Sequence, residues 1–221
     1  MTQTSTDLIV ERLSRELRPV PRMRPPVLSA ALWLAVSAAI IGALAWRHGL
    51  RPDLGQLFAE PGYRLSFIAC LGTAGLGAAA AFLVGLPDRA ALWGLLPVPA
   101  LLLWVAGAGL GCYADWVRAG PEGLGLGTSF SCLGWIIAAS LPLDALLVYM
   151  IRHAAHVRPR LALSIGMMSA AALASAGLML FHEIETTLMV LLWHGGAVAI
   201  MVALGGLGAP LFRRVAGAAG R

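Results

Sequence analysis

Six apolar runs, each long enough to cross a bilayer, restrict this chain to an all-α integral membrane fold. A hydrocarbon core of about 30 Å needs about 20 helical residues. Runs of that order occupy Val27–Trp46, Leu65–Leu86, Ala90–Gly111, Ser129–Ile151, Leu161–Phe181 and Thr187–Phe212. With 59% hydrophobic and 12% charged residues in 221, too little charge remains to coat a soluble domain. Pro97 and Pro99 in the third run predict a kink there.

Orientation follows from arginine, since the chain has no lysine. In a six-span reading, Arg12, Arg15, Arg18, Arg22, Arg24, Arg89, Arg152, Arg158, Arg160, Arg213, Arg214 and Arg221 share one side. The other side has Arg47, Arg51, Arg64 and Arg118, diluted by Asp53, Glu60, Asp115, Glu122, Glu183 and Glu185. The positive-inside rule then makes both termini cytoplasmic. Ala43-Leu44-Ala45 imitates a signal cleavage site, but the apolar run and the leader before it are too long for a signal peptide. The net charge of +5 is carried by short juxtamembrane pieces without aromatic interleaving, so no direct contact with nucleic acid is expected.

The chain divides into a cytoplasmic helix and tether at 1–26, a six-span domain at 27–212 and a basic tail at 213–221. Gly75 and Ala79, Gly107 and Gly111, and Gly205 and Ala209 stand four apart, a spacing suited to close helix packing in the bundle. The same spacing would serve a homo-oligomer. Glu122–Phe130, "EGLGLGTSF", contains Gly-x-Gly but lacks the lysine and preceding strand of a phosphate cradle.

Residues 4–18, "TSTDLIVERLSRELR", predict a separate helix with Thr4 and Asp7 as its capping pair. Ile9, Leu13 and Leu17, flanked by Leu8 and Val10, recur at helical spacing, and Pro19, Pro21, Pro25 and Pro26 cut the helix off from the first span. Such a helix can lie on an anionic leaflet. Its mixed polar face, with Asp7, Glu11 and Glu16 among the arginines, equally suits docking into a groove of a soluble partner.

The stretch "TDLIVERLSRELRPVPRMRPPVLSAALWLAV" resembles the start of the negative-regulator-of-sigma-F family, multi-span anti-sigma factors of bacterial inner membranes. The likeness continues at "SCLGWIIAASLPLDALLVYMIR" and "LLWHGGAVAIMVALGGLGAPLFRR" and covers most of the chain. The resemblance implies that Asp7, Leu8, Ile9, Leu13 and Leu17 hold an extracytoplasmic-function sigma factor at the membrane until an envelope signal releases it. Members of the family usually carry a second cysteine after span five, partnering the one in span four. Here His182 takes that place, so the implied dithiol mechanism does not transfer intact.

No enzymatic function is expected. Cys70, Cys112 and Cys132 are too dispersed for Cys-x-x-Cys, and neither a nucleophile elbow nor a His-x-x-x-His pair is present. The topology gathers Cys112, Cys132, His182, Glu183 and His194 at the outer ends of spans three to six. Sulfur, imidazole and carboxylate suit a divalent metal of borderline softness, and thiols are redox-active. The same residues can also be read as small apolar packing and surface charge. An imidazole at depth, as at His194, is costly and marks function more often than packing. Asp144, after Pro142 in span four, is read as a hydrogen-bonding link between helices ahead of a proton relay. The competing functional classes are a small transporter or channel using Asp144 and His194, and an accessory subunit of a membrane complex.

Overall fold

The computed structural model describes residues 3–16, 24–125, 131–152, 157–182 and 186–219. Among these there are helices and turns but no strand. Eight α-helices follow one another: α1 (Gln3–Glu16), α2 (Pro26–His48), α3 (Leu54–Ala59), α4 (Pro61–Val84), α5 (Val98–Ala119), α6 (Ser131–Ile151), α7 (Pro159–Phe181) and α8 (Thr187–Ala219). Six helical segments are long and apolar enough to cross a membrane, matching the six runs read from the sequence. The chain passes back and forth between two ends of the bundle. The end opposite the α1 tether is called distal below.

The bundle is built around α7. Of its apolar stretch, 83% is buried, against 22% for α2 and 33% for α6 and α8. The reason lies in composition. Residues 169–177, Ser-Ala-Ala-Ala-Leu-Ala-Ser-Ala-Gly, present almost no side-chain bulk, so α2, α4, α6 and α8 can all approach. α4 is the second interior helix, through its own small-residue run at Thr73–Ala81. At Gly205 the approach is backbone to backbone, since a Cβ there would lie 2.7 Å from the Leu163 carbonyl oxygen. Gly107 meets α4 in the same way, beside Gly62 and Ser66. Gly75, in contrast, faces no atom within 4 Å and is not at a close contact.

Sparse hydrogen bonds lock these contacts. Trp33 Nε1 donates to the Leu143 carbonyl at 3.0 Å, joining α2 to α6. Ser164 Oγ donates to the Val202 carbonyl at 3.0 Å, and Ser169 Oγ donates to that of Ala74. In an apolar medium such donors have few competitors, so each fixes helix register as well as adding stability.

Several boundaries differ from those expected. Pro97 and Pro99 do not kink a helix already under way. Ala91–Leu95 forms a 3-10 turn, and α5 starts afresh at Val98 with a proline in its first turn, where the missing N–H costs nothing. α5 then runs past Gly111 to Ala119 and ends at Gly120, whose φ of 60° only glycine adopts readily. The short α3 lies in what reads as a loop. α8 continues through Pro210 to Ala219, so the described part of the basic tail extends the last span. α1 begins at Gln3, which places Thr4 within the helix and not at its cap.

Candidate functional site

Two regions carry the candidate chemistry: α1, which precedes the first span, and the distal end of the bundle. The first is α1. Leu8, Ile9, Val10 and Leu13 are each half or more exposed, from 50% to 64%, and α1 forms no extensive packing with the bundle. Asp7 is exposed beside them, and Arg15 pairs with Glu11 at 2.6 Å along the helix. Leu17 falls outside the described residues. The helix is thus an amphipathic element whose apolar side no other part of the described chain covers.

The second region is the distal end. Cys132 sits in the first turn of α6, 1% exposed, within the main core. His194 is two turns into α8, also 1% exposed, and its Nδ1 has no hydrogen-bond partner among the described residues. Gly196 faces Leu133 (a Cβ there would sit 3.7 Å from Leu133 Cδ1), so the α6 turn bearing Cys132 packs against the α8 turn bearing His194. His182 follows α7 directly, half-buried, with its N–H on the Leu178 carbonyl at 2.9 Å. Glu183 falls outside the described residues.

Cys112 does not join this group. It lies in mid-helix on the distal half of α5, and α5 does not pack extensively against α6. The expected position at the end of a span was wrong because α5 continues for two more turns. Among the described residues no three His, Cys, Asp or Glu side chains come together in a set able to hold a metal ion. The three cysteines form no disulfide.

Two neighbours of the site were not singled out in the sequence. His48, at the end of α2, packs edge-on to Trp135 with centroids 4.8 Å apart and stacks on Phe181 at 5.1 Å. This aromatic group borders Cys132, three residues before Trp135, and His182, next after Phe181. The second is a polar cavity of about 480 Å³ where α3, α4, α5 and α8 converge, lined by Asp53, Glu60, Tyr63, Asp115, Arg118 and Thr187 among others. Arg118 reaches Asp115 at 3.2 Å and Glu60 at 3.8 Å, and the free oxygen of Asp115 accepts the Thr187 N–H at 2.9 Å. A carboxylate on the first N–H of α8 satisfies an orphan donor and opposes the positive end of the helix dipole. No local pattern announces either arrangement, because each draws on helices far apart in the chain.

An arginine clamp holds His182 in place. Arg51, whose side chain is only 7% exposed, bonds both oxygens of Asp53 at 2.6 and 2.7 Å and the His182 carbonyl at 3.0 Å. That pairing holds the Asp53 carboxyl below the usual carboxylate range. The Arg51 N–H also donates to the Leu180 carbonyl at 3.1 Å. Asp144 departs from expectation. It is 4% exposed, yet neither carboxyl oxygen has a hydrogen-bond partner among the described residues, so it does not link helices as proposed from the sequence.

Compared with known proteins, the chain matches no curated protein and no solved structure. The family model described as negative regulator of sigma F matches residues 13–214, beginning within α1 and extending through nearly all of α8.

Proposed function

Because the chain belongs to the negative regulator of sigma F family, we propose that it is a membrane anti-sigma factor whose α1 sequesters an extracytoplasmic-function sigma factor and whose distal end controls its release. In this reading the bilayer is the bacterial cytoplasmic membrane, α1 and its tether lie in the cytoplasm, and the distal end is the outer face. The arginine distribution supports that orientation. The protein acts by binding and not by catalysis.

The observation that carries the reading is the uncovered apolar side of α1, at Leu8, Ile9, Val10 and Leu13. Burying each such side chain in a partner groove yields about 1.5–3 kcal/mol before ordering costs. Asp7 and Glu11 supply charges complementary to a basic rim around that groove. Leu17 would extend the same stripe beyond the described residues.

Release is proposed to begin at Cys132, His182 and His194, with Glu183 and, after rearrangement, Cys112 as further ligands. A divalent metal or an oxidant acting there shifts the bundle only if it favours a second packing of α6–α8. Three protein ligands leave one position of a tetrahedral site open, so a carboxylate, a further thiolate or water must complete the set.

The test measures sigma-dependent transcription with the full-length protein. Leu13→Asp together with Leu17→Asp should derepress the regulon and abolish co-purification of the sigma factor. Full repression by the double variant would overturn the role of α1. Cys132→Ser and His182→Ala, challenged with a panel of metals and oxidants, should lose induction. Unchanged induction in both would reduce the distal cluster to packing and leave sequestration standing.

A further inference from the structure

At the end of the bundle nearest the α1 tether, the loop after α4 meets the start of α7. Arg158 Nη1 donates to the Arg89 carbonyl at 2.9 Å and to the Val84 carbonyl at 3.4 Å. A cleft of about 310 Å³ opens beside this junction, lined by Val157, Arg158, Arg160 and Leu161. Arg89 and Arg160 are exposed, and Arg158 is half-buried. Of the three arginines, Arg89 alone has an acidic partner among the described residues, Asp88 at 3.5 Å. Three guanidiniums against one carboxylate leave positive charge in excess. Both bonds of Arg158 start from Nη1, so the edge formed by Nε and Nη2 has no partner among the described residues. That edge is the one whose paired donors match a phosphate.

The charge calls for an anion, and the surroundings decide its kind. Leu161, in the wall of the cleft, packs against the 3-10 turn Ala91–Leu95, since a Cβ on Gly94 would lie 3.4 Å from Leu161 Cδ2. That turn leaves Leu92, Trp93 and Leu95 exposed, and Val157 is exposed on the cleft itself. Inorganic phosphate would satisfy the arginines and leave these apolar side chains uncovered. An amphiphile with an anionic head and hydrocarbon chains covers both. The level agrees. Val84 ends α4 and Pro159 begins α7, so the cleft lies where two spans leave the hydrocarbon, the depth that tryptophans such as Trp93 favour. Phospholipid phosphates stand at that level, and basic pockets at the ends of spans recognise anionic head groups.

We propose that this cleft binds an anionic phospholipid, its phosphate held by Arg158, Arg160 and Arg89 and its acyl chains lying along Ala91–Leu95. The site needs neither α1 nor the distal cluster, so its failure would leave the anti-sigma reading untouched.

The test is native mass spectrometry of the full-length protein, released from nanodiscs with equal amounts of phosphatidylglycerol and phosphatidylcholine of identical acyl chains. One phosphatidylglycerol should stay bound, about tenfold more often than phosphatidylcholine. Arg160→Gln and Arg89→Gln should each reduce that preference about fivefold, the usual effect of one basic residue at an anionic surface. Arg158→Lys keeps the charge without the paired donors and should lose part of the preference. Leu92→Gln with Leu95→Gln should weaken retention as well. Arg47→Gln removes the same charge at the distal end of α2 and should change nothing. Equal retention of the two lipids would overturn the proposal, as would an unchanged preference in both Arg160→Gln and Arg89→Gln. An equal loss in Arg47→Gln would reduce the effect to net charge and overturn it too. Displacement of the lipid by millimolar inorganic phosphate would also overturn it, because the site would then be one for a soluble anion.

Discussion

Arg51 donates a hydrogen bond to the backbone carbonyl of His182 at 3.0 Å, joining the turn after α2 to the turn after α7. The same guanidinium is held by Asp53, so the carboxylate orients the arginine and the arginine positions the histidine. Arg51→Ala should lower the Tm of the detergent-solubilised protein by a few degrees. Arg51→Lys should recover only part of that loss, because an ammonium cannot span both carboxylate oxygens and a third acceptor in one plane. Equal Tm values for wild type and Arg51→Ala would show that the clamp contributes nothing.

The clamp also has a pH signature. Its arginine holds the Asp53 pKa below the unfolded value, so the stabilisation is fully present above the ordinary carboxylate pKa of about 3.9. It is lost as pH falls through the lower folded value. Thermal unfolding followed downward from pH 6 should show a loss of stability in wild type that is smaller in Asp53→Asn. Parallel profiles for the two would contradict the linkage.

Gly205 and Gly42 make a matched pair for testing helix packing. A Cβ at Gly205 would lie 2.7 Å from backbone atoms of Leu163 and Ser164, which cannot rotate away. Gly205→Ala must therefore push α7 and α8 apart and should cost about 1–3 kcal/mol, the usual range for overpacking. At Gly42, within α2, a Cβ would meet nothing within 4 Å. Gly42→Ala should gain up to about 1 kcal/mol through helix propensity. Denaturation of both variants in the same detergent gives the comparison, and a stabilised Gly205→Ala would sink the packing argument.

Asp144 is buried without a hydrogen-bond partner among the described residues, which makes it a stability cost. Asp144→Leu replaces the orphan carboxyl with an apolar side chain of similar size and should stabilise the protein by about 1–3 kcal/mol. Asp144→Asn keeps an orphan polar group and should gain much less. A lower Tm for Asp144→Leu would mean that the carboxyl has a stabilising partner.

The six spans, the separation of α1 by its prolines and the family likeness could all be read along the chain. Each depends on properties of contiguous residues: apolar length against a fixed bilayer thickness, proline's missing donor, and the order of short motifs. The candidate site was read less well. Cys132, His182 and His194 stand toward the same end of the bundle, because alternating spans must return there, but no three candidate ligands come together among the described residues. Cys112 lies in mid-helix because α5 runs on to Gly120, beyond the end at Gly111 that its apolar run suggests. The central position of α7 and the Arg51 clamp on His182 have no counterpart in any local pattern. They depend on how each helix is rotated about its own axis. In an apolar medium, hydrophobicity alone scarcely prefers one rotation over another, so close contacts such as Gly205 on Leu163 and bonds such as Trp33 to Leu143 select it. Those contacts pair residues from different helices, and they come into being when the bundle packs.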